Sequence, residues 1–310
     1  MKLSNPLRHP PGVPRVEKPR AEGRFNLADG RGLGYAEFGD PTGPVVLWFH
    51  GTLGARRQFP VLGRRAAENL GLRVIIVERP GTGLSDSHRY SAVTDWVADM
   101  AQVADALDAE RLGVVGLSGG GPYALACGAL PPLVDRVAVA AVLDGTVPAV
   151  GPEATDGGVT DVARRFNPVL TQLRRPLAVL STVLLAPLIP FAHFAYRGYA
   201  RMWPEDDRRV LNDPEVEAIF VDDMVNAFRG RCLAMVDDAR LLGRDWGFRL
   251  ADVKVPVRWW HGEADHVVPI AGVRTAVSRL QDAELTVRSE SHLGGFAMID
   301  EVLENIRVFL

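Results

Sequence analysis

The 310-residue chain has two cysteines, Cys127 and Cys232, and neither stands in a CxxC or CxxH spacing. Two thiols so placed make no disulfide framework, and a structural zinc site would need more ligands. Both are expected to be free, reduced and buried. Lysine is scarce: Lys2, Lys18 and Lys254 are three of the 35 basic residues, and the net charge is -3. No basic stripe is visible that would attract a phosphate backbone, so nucleic acid is not an expected partner. The N-terminal stretch carries Pro6, Pro10, Pro11 and Pro14 and lacks the apolar core of a secretion signal, which makes a cytoplasmic location the expectation. Asp, Glu, Lys and Arg are all missing from Pro176 to Tyr196. That length approaches a membrane span, but Pro187 and Pro190 would interrupt a helix and His193 adds a polar group. A helical lid whose apolar face covers a pocket, or makes peripheral contact with a lipid surface, fits better.

What is present is an ordinary globular composition, 47% hydrophobic and 24% charged, in a chain long enough to bury a large core. Residues 1–23 read as a proline-rich arm, and regular structure is expected from Arg24 onward. Phe25 to Leu27 and Leu33 to Phe38 flank Asp29-Gly30-Arg31-Gly32, the pattern of a β-hairpin. Short apolar runs follow at Val45 to Phe49, Val74 to Val77, Leu112 to Val115, Val137 to Leu143, Val257 to Trp260 and Leu285 to Val287. They are apolar on both faces, as strands covered by helices on both sides must be. Between them Ser91 to Leu107, Ala271 to Leu280 and Phe296 to Leu310 carry helical spacing. The alternation predicts an α/β fold with a mostly parallel sheet. From Thr146 to Met235 the rhythm breaks into helical, proline-punctuated sequence without a convincing strand. Residues 146–235 are therefore expected to be an inserted helical cap on a core made of 24–145 and 236–310.

The chemistry concentrates at strand ends. Leu112 to Val115 runs into Gly116-Leu117-Ser118-Gly119-Gly120 and then a helical stretch. Glycine two residues either side of a serine permits a tight strand-to-helix turn that lifts the hydroxyl into the open, above a helix N-terminus that favours developing negative charge. Acyl transfer also needs donors for an oxyanion. The backbone N–H of Gly119 is one candidate, and Thr52 in His50-Gly51-Thr52-Leu53-Gly54 is the other, with His50 assigned to holding that loop. Among seven histidines, His292 alone follows the last strand, in Ser291-His292-Leu293-Gly294-Gly295, and it is the candidate base. For the acid that orients it, Asp265 in Gly262-Glu263-Ala264-Asp265-His266 is preferred. Asp144, one strand earlier, is the competitor, and Glu263 reads as a solvated charge.

On these motifs the sequence resembles the α/β-hydrolase superfamily from about Arg24 to Leu310. Glu78-Arg79-Pro80-Gly81-Thr82-Gly83-Leu84-Ser85-Asp86 looks like that superfamily's turn after the fourth strand, and the resemblance makes this turn structural, a builder of the pocket floor. It implies an eight-stranded, mostly parallel sheet with a helical cap after the sixth strand. Ser118 departs from the aspartate nucleophile of the haloalkane dehalogenases and epoxide hydrolases, and Leu117 replaces the histidine often found before the serine.

The expectation is a serine hydrolase that cleaves a carboxylic ester with an apolar acyl or lipid-like group, using neither metal nor organic cofactor, as a monomer or homodimer. Leu53, Leu117, Leu184 and Phe191 are the candidate pocket residues. Two alternatives stand beside it. One is a C–C bond hydrolase or cofactor-free perhydrolase with the same three residues. The other is a low-turnover ligand-binding homologue.

Overall fold

The computed structural model describes residues 10–228 and 232–310; the beginning of the proline-rich arm, with Pro6 and His9, lies outside the described residues. Eight strands, β1 (Ala21–Asn26), β2 (Gly32–Gly39), β3 (Val45–Phe49), β4 (Arg73–Val77), β5 (Leu112–Leu117), β6 (Val137–Leu143), β7 (Val257–Gly262) and β8 (Ala283–Arg288), form one sheet in the order β1-β2-β4-β3-β5-β6-β7-β8. The β1–β2 and β2–β4 pairs are antiparallel, and every later pair is parallel. Regular structure starts three residues before the expected Arg24, because Ala21 already pairs with Glu37. The alternating exposure of β1 marks it as an edge strand, whose apolar pattern is too thin to show in sequence.

The central strands are buried on both faces, and successive side chains enter two different cores. Val45, Leu47 and Phe49 of β3 pack into one, while Val46 and Trp48 pack into the other. The helices α1 (Val61–Asn69), α2 (Asp95–Ala106) and α3 (Gly121–Cys127) follow β3, β4 and β5 in turn. Trp96, Met100 and Val103 of α2 cover the first face, with Leu125 of α3. Ala66 and Ala67 of α1 cover the second.

Between β6 and β7 the chain leaves the sheet for α4 (Gly158–Gln172), α5 (Arg174–Leu185), α6 (Ala192–Ala200), α7 (Glu205–Leu211), α8 (Pro214–Ala227) and α9 (Leu233–Leu242). Among the described residues this insertion has no strand. Its far boundary differs from the expected Met235: α9 runs through that position without a glycine or proline to mark it, and stops only at Gly243. Pro187 and Pro190 also do not break the helical run. They sit in a 3₁₀ segment, Ala186–Phe191, that joins α5 to α6. After β7 and β8, α10 (Ile270–Val277) and α11 (Ile299–Phe309) complete the two layers. Val273 belongs to the first core, and Ile299, Val302 and Ile306 to the second. Both cysteines are free and buried.

Candidate active site

The parallel strands point their C-terminal ends the same way, so the loops after β3, β4, β5, β6, β7 and β8 gather at one edge of the sheet. Ser118 follows β5 directly and has φ +48, a left-handed conformation unfavourable for any residue with a Cβ. The turn is possible because its neighbours lack side chains. A Cβ on Gly116 would lie 2.4 Å from the carbonyl oxygen of Gly120, and one on Gly120 would lie 2.2 Å from that of Phe49.

Ser118 Oγ is 3.1 Å from His292 Nε2. On the far side of the ring, Nδ1–H donates to Asp265 Oδ2 at 2.7 Å. A carboxylate only accepts, so this bond places the ring proton on Nδ1 and leaves the Nε2 lone pair facing the serine. Asp265 Oδ1 accepts from the amides of Val267 and Val268, each at 2.8 Å. Burial by itself would raise the Asp265 carboxyl, but bonds from His261 and His292 hold it well below the usual carboxylate range. Burial alone would likewise lower His292, yet the bond to Asp265 and its charge outweigh that and raise the imidazole above its ordinary 6.5.

Asp144, the competing acid, makes no hydrogen bond to His292. Its Oδ1 accepts from the Gly262 amide at 3.1 Å, its Oδ2 is buried without a partner, and burial pushes its carboxyl up to about 7. Asp144, His261 and Asp265 do bring ligand-type atoms within 4.8 Å of one another. The His261 nitrogens are already engaged, however: Nε2–H is shared between the Val268 carbonyl at 2.8 Å and Asp265 Oδ2 at 3.1 Å, and Nδ1 accepts from Trp259 Nε1 at 3.4 Å. With both Asp265 oxygens also bonded, a metal there would have to displace the bonds that orient His292.

Thr52 and Gly119 are neighbours. The Thr52 nitrogen lies 3.2 Å from where a Cβ on Gly119 would sit, which places the Thr52 loop against the residue after Ser118. His50 is held neutral by burial and by the nearby Arg79 charge. It bonds the Gly51 carbonyl through Nδ1 at 2.9 Å and accepts the Arg79 amide on Nε2 at 3.3 Å. Sequence reasoning missed what holds this loop from behind. The Arg79 guanidinium donates to the carbonyls of His50 (2.7 Å) and Gly51 (3.0 Å) and to Asp238 Oδ2 (2.9 Å). Asp238 in turn accepts from Tyr123 Oη at 2.8 Å.

Two further carboxylates of the insertion reach core loops. Asp207 accepts from Ser291 Oγ at 2.7 Å and from the Leu293 amide at 2.8 Å, gripping the chain on both sides of His292. Asp223 accepts from the amides of Ala55 (2.8 Å) and Arg57 (2.9 Å), just past the Thr52 loop. Each is the second member of an acidic pair: Asp206-Asp207, Asp222-Asp223 and Asp237-Asp238. Acidic pairs flanked by apolar residues in the last two were the signal available in the sequence.

Above Ser118 lies a cavity of about 410 Å³ lined by Leu53 and Leu117 and by Val159, Val162 and Phe166 of α4. Leu184 and Phe191 are not part of it. They point to solvent, 61% and 56% exposed, because α5 turns its other side, with Ala178 buried, toward the protein. A segment apolar all round cannot announce which side faces inward, and α4 took the place assigned to them.

The eight-stranded, mostly parallel sheet with a serine on a strained turn at its C-terminal edge defines an α/β-hydrolase. The family model for serine aminopeptidase, S33, matches residues 40–292, and the chain belongs to that family. Three solved structures illustrate the likeness. A hydrolase from Pseudomonas aeruginosa PA01 is 16% identical over 94% of this chain and 98% of that one, with TM-score 0.68. The enol-lactonase from Burkholderia xenovorans LB400 is 17% identical over 93% and 99%, with TM-score 0.66. Bromoperoxidase from Bacillus anthracis is 19% identical over 93% and 98%, also with TM-score 0.66. At these identities the likeness shows the fold. No curated protein matches the sequence.

Proposed function

We propose that the chain is a serine esterase acting on carboxylic esters with an apolar acyl or lipid-like group, with Ser118 as nucleophile, His292 as general base and Asp265 as its orienting acid. The observation that carries this reading is the continuous hydrogen-bond line from Ser118 Oγ through His292 to Asp265, opening onto an apolar cavity. His292 Nε2 takes the hydroxyl proton as Oγ adds to the ester carbonyl, and the amides of Gly119 and Thr52 donate to the oxyanion. Collapse of the tetrahedral species expels the alkoxide, which leaves with the proton from His292. Water then adds to the acyl-enzyme by the same route and releases the acid. Asp265 stays ionised throughout, consistent with a carboxyl held far below neutrality.

The helical insertion serves as a cap, α4 forming the wall of the acyl site. An ester suits this cavity better than a peptide with a free N-terminus. Among the described residues that line it there is no Asp or Glu to pair with an α-ammonium. The test is hydrolysis of a nitrophenyl ester series by the parent and by Ser118→Ala. Turnover by the parent that vanishes in the variant, with an unchanged circular dichroism spectrum, is the expected result. Activity in Ser118→Ala within about tenfold of the parent would sink the assignment.

The fold shared with a bromoperoxidase favours one second reading, perhydrolysis, in which hydrogen peroxide replaces water on the acyl-enzyme and leaves as a peracid. Peracid formation from acetate and peroxide, faster than ester hydrolysis, would select it.

A further inference from the structure

Between Val162 and Pro204 the sequence contains six arginines and no aspartate or glutamate, in a chain whose net charge is -3. The same interval carries the largest exposed apolar side chains of the insertion. Val179, Val183 and Leu184 form a stripe along α5 at helical spacing, followed by Phe191 at the end of the 3₁₀ segment and Phe194 and Met202 beyond it, and each is more than half exposed. Single exposed apolar residues are unremarkable, but a contiguous patch of this kind on a soluble domain marks a binding surface. Arg165, Arg175 and Arg201 are exposed and form no ion pair among the described residues, and Arg175 shares a surface groove with Val179 and Val183 of the stripe.

We propose that this outer face of α4–α6 docks on an anionic lipid bilayer, lying in the plane of the headgroups. A helix with an apolar stripe and arginines beside it is built for that position, the stripe entering the acyl boundary and the guanidinium groups meeting lipid phosphates. The run Arg174–Ala200 is 27 residues long and apolar enough to cross a membrane, with 11% of its most apolar window buried. Its inner side is nevertheless tied to the rest of the protein at several points. Arg174 pairs with Asp237, and Thr182 Oγ1 accepts the Cys232 amide at 3.1 Å. His193 Nδ1 lies 2.9 Å from Glu217 Oε1, and Tyr196 Oη donates to the Leu211 carbonyl at 2.8 Å. Crossing a bilayer would break all four contacts, whereas lying on one breaks none.

A second copy of the chain is the poorer occupant. A two-fold contact sets the same patch against itself, and this one would bring arginines together with no acidic side chain from the interval to pair them. The underside of the segment adds a consequence. Leu185, Leu188 and Ile189 line a second cavity of about 320 Å³ that shares Thr52, Leu53 and Gln58 with the cavity above Ser118. An apolar chain drawn from the bilayer would enter beside the serine; that step rests on the hydrolytic reading, and the docking does not.

Vesicle flotation of the full chain tests the docking. The parent should float with vesicles of equal phosphatidylcholine and phosphatidylglycerol about tenfold or more better than with phosphatidylcholine alone, and 1 M salt should release it. Arg165→Glu/Arg175→Glu/Arg201→Glu and Val179→Asp/Val183→Asp should each abolish flotation while leaving hydrolysis of a soluble short ester unchanged. Ser118→Ala should float like the parent, which separates failure of the docking from failure of the hydrolytic reading. Flotation unaffected by either surface variant overturns the proposal, as does equal binding to neutral vesicles. So does resistance to an alkaline carbonate wash, the sign of a spanning segment. A dimer dissociated by Val179→Asp/Val183→Asp, without flotation, assigns the face to a second copy instead.

Discussion

The sheet and the helical insertion are held together by different physics. The sheet is apolar through its thickness: β3, β4 and β5 are buried on both faces, and their helices cover them with Val, Leu, Ile and Trp. The insertion instead sends carboxylates inward. Asp207, Asp223 and Asp238 each leave a helix to meet amides, a hydroxyl or a guanidinium on a loop of the sheet edge. Loops expose backbone N–H and C=O groups that burial would otherwise orphan, and charge-assisted bonds are the strong way to satisfy them. The sheet supplies a rigid frame, and the insertion fixes the loops on that frame where the candidate chemistry lies.

Five substitutions and one substrate series would break or sharpen this division of labour, the largest effect coming from the acid on the loop after β7. Asp265→Asn should lower kcat by about 10³–10⁴, because the amide favours the wrong imidazole tautomer, while Asp144→Asn costs under about tenfold. The reverse order, measured by steady-state kinetics, would move the acid to the end of β6. The pH profile gives a second readout. His292 must be neutral to accept the serine proton, and its pKa is raised, so the parent should lose kcat/KM as pH falls through a value above 6.5. Asp265→Asn removes the bond and charge that raise it, and the limb should move to lower pH.

Asp207→Asn attacks the insertion's grip on the His292 loop. A misplacement of the base by a fraction of an ångström should reduce kcat by about 10–100-fold, with KM less affected. The Asp207 charge also contributes to raising His292, so the acid limb should shift down slightly; a drop in activity with neither a kcat bias nor a limb shift would mark a merely structural role. Asp238→Asn should cost about tenfold in kcat by loosening Arg79 and the Thr52 loop behind it. Normal kcat in a folded Asp238→Asn protein would show that Arg79 holds the loop without help from the insertion. The mildest effect belongs to the acyl site. Each methylene buried against α4 is worth about 0.8 kcal/mol, so kcat/KM should rise roughly fourfold per methylene until the cavity is filled. Phe166→Ala should flatten that slope, and an already flat response from acetate to octanoate would remove α4 from the acyl site.

The same contrast explains what was legible in the sequence. Apolar runs gave strands β2 to β8 close to their observed limits, because a buried parallel sheet leaves an unambiguous pattern. Ser118, His292 and Asp265 could be picked out because glycine spacing and strand order locate loops, and the structure brings these three together. Partnerships across the insertion were not legible. Asp207 reads as an ordinary acidic first turn of a helix, and nothing local tells that it faces Ser291 and Leu293. Leu184 and Phe191 were misplaced for the complementary reason. In a stretch with no charge from Pro176 to Tyr196, the inner and outer faces look alike.

Labelling with a fluorophosphonate, followed by intact-mass and peptide mass spectrometry, tests the central claim most directly. One equivalent should add at Ser118, with the rate of addition falling as pH drops through the His292 pKa and no addition in Ser118→Ala. Addition elsewhere, or none to a folded parent at neutral pH, would contradict the claim that His292 and Asp265 activate Ser118.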